Sequence, residues 1–110
     1  DNVQQIIFFD FDKSKLSNTS VNEVKRFLIQ NKKNIKKYLV VGHTDTKGSK
    51  EYNKTLSVER ALTIKNLLIK LGIEANNIKI LGQGESALAF YTKDEVAHPA
   101  NRRAVISPLN

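Results

Sequence analysis

Apolar residues along this chain fall into short strand-like runs and longer helical stripes, and their order sketches a fold. Ile6–Phe11 (IIFFDF) is apolar on both alternating sets, the pattern of a strand covered on both faces. From Ser17 to about Asn34, the residues Val21, Val24, Phe27, Leu28 and Ile35 recur at spacings of three, three, one and seven, one stripe of an amphipathic helix. Ser17, Asn18 or Ser20 could cap its start. Tyr38–Gly42 (YLVVG) reads as a second strand. From about Tyr52 to Leu71, Leu56, Ala61, Ile64, Leu67, Leu68 and Leu71 again keep helical spacing, with Gly72 suited to the position past the end. Ile78–Leu81 (IKIL) predicts a third strand, closed by Gly82 and Gly84, and Ala104–Ser107 (AVIS) a last one, ended by Pro108. Residues 85–100 show no period and contain Pro99, so a loop with room for one helical turn is expected there. The order β-α-β-α-β-loop-β predicts an α/β two-layer sandwich, two helices on one mixed sheet, in a single domain over residues 1–110.

Composition narrows the class. An apolar content of 40% and a charged fraction of 26% describe a globular chain, neither disordered nor fibrous. No apolar run approaches the ~20 residues that span a bilayer. The chain opens at Asp1 without a Met or a charged-then-apolar leader, which reads as an excised or mature product whose anchor is out of view. Cysteine is absent, which removes disulfides and thiolate metal sites. Eighteen Lys and Arg against 11 Asp and Glu leave a net charge of +7. A field of that sign favours nucleic acid, acidic lipid or a carboxylate-rich wall polymer, although lysines on predicted helices are by default a solvated face.

Chemistry concentrates between Val41 and Leu71. Asp45 follows the second strand, in a polar loop, and Arg60 lies in the early turns of the following helix. Asp45 alone reads more simply as an Asx turn or helix cap, and Arg60 alone as a surface ion pair with Glu59 or Glu51, worth at most ~1 kcal/mol. Together, an acid at a strand end and a base near a helix start can flank one pocket and grip an ammonium and a carboxylate on the same ligand.

Five ordered blocks extend that pairing across the chain: Phe9-Asp10-Phe11-Asp12, Gly42-His43-Thr44-Asp45-Thr46-Lys47-Gly48, Asn53-Lys54-Thr55-Leu56-Ser57-Val58-Glu59-Arg60-Ala61, Gly82-Gln83-Gly84-Glu85 and Asn101-Arg102-Arg103. The set resembles the OmpA-like family of peptidoglycan-binding domains. Two departures stand out: Ala87 and Leu88 occupy the place where a proline often follows the fourth block, and Ala104 replaces the usual Val after the fifth. The resemblance implies noncatalytic binding of the peptidoglycan stem peptide through the zwitterionic end of diaminopimelate. Asp45 would then accept from the ligand's ammonium, and Arg60 would hold its carboxylate with two prongs. Asn53 is expected to brace the loop or touch ligand, Asp12 to lie at the rim, Thr44 to add a hydroxyl or pack, and Arg102, rather than Arg103, to face the pocket. The family's setting is the periplasm and cell envelope of a Gram-negative-type bacterium. Membrane contact would come only through an anchor or parent domain, and homodimers are conceivable.

Other classes fit less well. His43 and His98 lack the further ligands and support that a metal needs, so no metal or cofactor is expected. No G-x-S-x-G elbow is present, Gly82-Gln83-Gly84-Glu85 lacks the rest of a phosphate loop, and Asp10 with Asp12 is a routine strand pair. A basic nucleic-acid-binding domain is the main alternative. It would display lysines and aromatics on one sheet face, whereas Phe8, Phe9, Phe11 and Phe27 read mainly as core. A wall hydrolase comes third. Alanine at position 45 or 60 is expected to abolish wall binding and shift melting by only a few degrees.

Overall fold

The computed structural model describes residues 3–109; Asp1, Asn2 and Asn110, the ends of the expected domain, lie outside them. Strands β1 (Gln5–Phe8), β2 (Tyr38–Gly42), β3 (Ile78–Gly82) and β4 (Arg103–Pro108) form one mixed sheet in the order β1-β4-β2-β3. β2 and β3 pair in parallel, whereas β4 runs antiparallel to both of its neighbours, so β1, β2 and β3 all point the same way. Helices α1 (Asn18–Asn31) and α2 (Lys50–Lys70) link the three like-directed strands. The last strand to be made therefore sits inside the sheet.

Local chemistry starts each helix where the pattern placed it. The hydroxyl of Ser17 accepts from the amide of Ser20 and that of Ser49 from the amide of Tyr52, two N-caps. Beyond α2, Gly72 takes a φ of 104°, a conformation that reverses the chain at little steric cost. The expected turn in the long loop is a 3-10 turn at Pro99–Asn101; a second, at Ala75–Asn77, had no periodic signal.

One core joins the helices to the sheet. Val24, Phe27 and Leu28 of α1 and Ala61, Ile64 and Leu68 of α2 meet Ile7, Tyr38, Val40, Ile78, Ala104 and Ile106. Ala104, small where a larger residue is usual, is fully enclosed. The expectation that Ile6–Phe11 is covered on both faces is not met. The helices lie on one face only, so Ile7 and Phe9 point inward while Ile6 and Phe8 stand exposed on the other. The strand also ends at Phe8, and Phe11 is half-exposed in the loop that follows. Of the four phenylalanines assigned to the core, Phe9 and Phe27 belong to it and Phe8 and Phe11 do not.

Candidate functional site

All three like-directed strands deliver loops to the same end of the sheet, and a cleft of about 410 Å³ opens there. Phe11 and Asp12 come from the β1–α1 loop, Asp45, Lys47 and Gly48 from the β2–α2 loop, and Glu95 and Arg102 from the stretch before β4. Tyr52, Asn53, Leu56 and Arg60 complete the wall from the first turns of α2. Open α/β sheets collect binding sites beyond the carboxyl ends of their strands, because the loops there are free to vary.

The burial pattern of α2 explains how polar groups reach this wall. Its buried residues run Asn53, Leu56, Ser57, Arg60, Ala61, Ile64, Leu68, so apart from Leu56 the stripe is polar at the cleft end and apolar over the sheet. Arg60 is fully buried, with Phe9's ring 5.2 Å from the guanidinium carbon. Its Nε donates to the Lys13 carbonyl at 2.8 Å, one terminal nitrogen to the His43 carbonyl at 2.9 Å, and the other to the Asp10 carbonyl at 3.2 Å. No carboxylate pairs with it within 4.0 Å among the described residues. Burial lowers its pKa to about 10, partly offset by the charge of Asp45. The surface ion pair that Arg60 alone suggested is therefore absent. Three of its five N–H donors are committed to backbone and two remain.

Asp45 is buried on the opposite arm. Its Oδ1 accepts from the Lys47 amide at 3.2 Å, an Asx turn, and its Oδ2 from the His98 amide at 3.1 Å and the Arg102 guanidinium at 3.4 Å. The loop-shaping role and the cleft-lining position thus coexist in one carboxylate. Arg102 also donates from Nε to the Phe9 carbonyl, while Arg103 turns away and donates to the Ala87 carbonyl at 3.1 Å. Asn53 reaches from α2 to the Asp45 and Lys47 carbonyls and to Glu85 Oε1, tying three segments together. Asp12 sits at the rim with a φ of 59° and accepts from the Tyr52 hydroxyl. Thr44 does not line the cleft. It is buried, its hydroxyl has no partner among the described residues, and its amide bonds the Gly84 carbonyl.

Several residues in or beside the cleft wall escape the sequence reading. Ser57 was passed over, yet its Oγ accepts from the Gly84 amide at 2.8 Å and so holds the β3 turn against α2. Its spacing from Asn53 and Arg60 along the helix was an available signal. Lys47 and Glu95, an exposed pair at 3.9 Å, meet across 48 residues of sequence, and no local pattern announces that. The wall carries three acids (Asp12, Asp45, Glu95) and three bases (Lys47, Arg60, Arg102), so its formal charges cancel; Asp45 pairs with Arg102 and Lys47 with Glu95, whereas Arg60 has no carboxylate within 4.0 Å among the described residues.

His43, beside the loop, is buried and its Nδ1 has no partner among the described residues. Its pKa falls to about 4, first by burial and then by the charge of Arg103, against a hydrogen bond to the Ala87 backbone. Between pH 6.5 and 4 the unfolded chain binds this proton and the folded one does not, so stability declines as the pH drops through that window. At ~1.4 kcal/mol per pH unit the full loss is about 3 kcal/mol. Urea unfolding of wild type and His43→Gln at pH 7 and pH 4 measures it; an equal acid loss in the variant would place the sensitivity elsewhere.

Comparison with known proteins follows the same lines. The model of the OmpA family matches residues 8–102. The chain is 33% identical over 102 residues to the peptidoglycan-associated lipoprotein of Legionella pneumophila, covering 90% of this chain and 57% of that protein. To outer membrane porin F of Pseudomonas fluorescens it is 36% identical over 109 residues, 96% of this chain and 32% of the porin. The crystal structure of the peptidoglycan-associated lipoprotein from Burkholderia pseudomallei superposes with a TM-score of 0.79 at 25% identity, over 93% of this chain and 87% of that one. The chain thus spans a little over half of one relative and about a third of another.

Proposed function

The chain belongs to the OmpA family, and from that premise we propose that it is a noncatalytic module that anchors a larger envelope protein to peptidoglycan, on the periplasmic side of a Gram-negative-type envelope. Membership of that family and likeness to a peptidoglycan-associated lipoprotein support wall binding. The finer reading is that the cleft takes the zwitterionic end of diaminopimelate in the stem peptide. One observation carries it: a buried guanidinium without a carboxylate partner shares a cleft with the buried carboxylate of Asp45.

In this reading the ligand's carboxylate receives the two N–H groups of Arg60 that the backbone leaves over, and its ammonium donates to Asp45. The ammonium competes there with Arg102, which must share or release the carboxylate oxygen. Leu56 and the Phe11 ring bound the side-chain methylenes, and Asn53 keeps the loop shaped for entry. Two charge-assisted contacts of roughly 1.5–3 kcal/mol each give a free fragment an affinity in the high-micromolar to millimolar range. A polymer offering many copies raises the effective grip by repeated rebinding.

Co-sedimentation with purified sacculi tests the reading. Wild-type protein is expected in the pellet, displaced by millimolar meso-diaminopimelate and by high salt. Asp45→Asn keeps the side chain's shape and is expected to weaken binding about 10- to 100-fold. Sacculi whose diaminopimelate carboxylates are amidated should bind comparably weakly, because Arg60 then faces a neutral group. Full binding to amidated sacculi, or by Asp45→Asn, would remove the diaminopimelate reading while leaving wall binding intact. A preference for random oligonucleotide over sacculi would overturn the whole assignment.

A further inference from the structure

Six basic residues, Lys25, Arg26, Lys32, Lys33, Lys36 and Lys37, fall within thirteen positions that contain no acid. All six are exposed. They occupy the last turns of α1 and the passage into β2. That is the end of the fold remote from the cleft, because α1 starts beside the cleft-side end of β1 and finishes where β2 begins. Among these charges stands Ile29, 78% exposed, with Lys25 and Arg26 one turn before it and Lys32 one turn after. A groove of about 240 Å³ runs alongside, with Leu28, Ile29 and Leu71 between Lys25 and Lys32.

Ordinary causes explain only part of this. Cations near a helix C-terminus are favourable, and Lys36 Nζ lies 3.5 Å from the Lys32 carbonyl at the end of α1. That accounts for a lysine or two. It does not account for an isoleucine standing in water at their centre. Glu74, exposed at the same end, opposes the field with a single charge.

We propose that this basic end docks on an anionic phospholipid bilayer, independently of the cleft. Lysine and arginine heads meet the headgroup phosphates while their methylene stems lie along the interface, and Ile29 enters the boundary between headgroups and acyl chains. Charge complementarity selects an anionic partner, and the exposed aliphatic centre selects one with an apolar layer beneath the charge. Nucleic acid offers no such layer and is normally gripped by stacking aromatics. The exposed aromatic residues Phe8, Phe11, Tyr52, Phe90 and Tyr91 all lie outside α1 and its groove. Because the basic end and the cleft are at opposite ends of the sheet, a membrane and a wall could be held at once.

Flotation with vesicles tests the proposal. Wild-type protein is expected to bind equal mixtures of phosphatidylglycerol and phosphatidylcholine at about 50 mM salt, to release near 500 mM, and to ignore pure phosphatidylcholine. Lys32→Glu with Lys36→Glu should lower partitioning at least about tenfold. Lys15→Glu with Lys93→Glu makes the same change of net charge at the cleft end of the fold and should leave partitioning within about twofold. Ile29→Ser keeps every charge and should weaken it about three- to tenfold. Should the first pair melt early, Lys33→Ser with Lys37→Ser serves the same comparison. An equal loss in the Lys15/Lys93 pair, or no effect of Ile29→Ser together with equal capture by polyglutamate beads, would overturn the proposal. Sacculus binding by the Lys32/Lys36 variant should stay at the wild-type level, which separates this surface from the cleft.

Discussion

Arg60→Ala is expected to lose folding stability and wall binding together, with an unfolding free energy lower by about 4 kcal/mol or more. The side chain is enclosed and ties the carbonyls of Asp10, Lys13 and His43, which belong to two different loops. Alanine removes all three bonds and leaves a void that water fills only in part. Each buried acceptor left without a donor costs roughly 1–3 kcal/mol, less for the two that lie nearer the surface. A domain of this size has only ~5–15 kcal/mol in hand, so much of the population is expected to unfold under mild urea. That corrects the expectation of near-normal melting, which treated Arg60 as a surface residue. Arg60→Lys keeps the charge but not the fork, and should retain part of the stability while losing most of the sacculus binding. Urea midpoints of both variants, set beside sacculus pull-down, give the test. Wild-type melting of Arg60→Ala would mean that the three carbonyls do not depend on this guanidinium.

Gly42→Ala should be at least as damaging, though it touches no ligand. A Cβ at Gly42 would stand 1.8 Å from the carbonyl oxygen of Ser57 and 3.2 Å from the amide nitrogen of Ala61. Both belong to the backbone of α2, which cannot yield as a side-chain tip does. The helix would have to lift from β2, opening the core and dragging Arg60 and Asn53 out of the cleft wall. A cost above ~4 kcal/mol is expected, at the extreme of single substitutions. Gly48→Ala is the informative contrast. Its φ of 97° is strained for alanine, but the nearest atoms are 3.6 Å away, so about 1–3 kcal/mol is expected. Soluble Gly42→Ala with an unchanged urea midpoint would show that α2 is less tightly seated than its contact with β2 implies.

The two glycines show how legible the site was. Both belong to a block that carries the family resemblance, which by itself gives no reason for either glycine. The helix-to-strand approach at Gly42 and the left-handed turn at Gly48 are separate reasons, visible only in three dimensions. Likewise Arg102, expected rather than Arg103 to face the pocket, lies at the cleft just before β4, while Arg103 reaches Ala87. Thr44, one residue from Asp45, is enclosed without lining the cleft; residues 43–46 are all buried past the end of β2, so sequence adjacency to Asp45 did not decide its place. Asn53, Ser57 and Arg60 lay in plain view at helical spacing, but polar residues on a stripe are read as surface until the fold shows what covers them.

Periodicity by itself determined the number, kind and order of the main elements, because burying apolar side chains at spacings of two or three to four admits few alternatives. The ordered motifs by themselves determined the family. Tertiary structure alone decided which sheet face is covered, which charges meet, and that Arg60 is buried without a carboxylate. Those depend on segments dozens of residues apart arriving at one end of the sheet, and no local pattern of hydrophobicity encodes such an encounter.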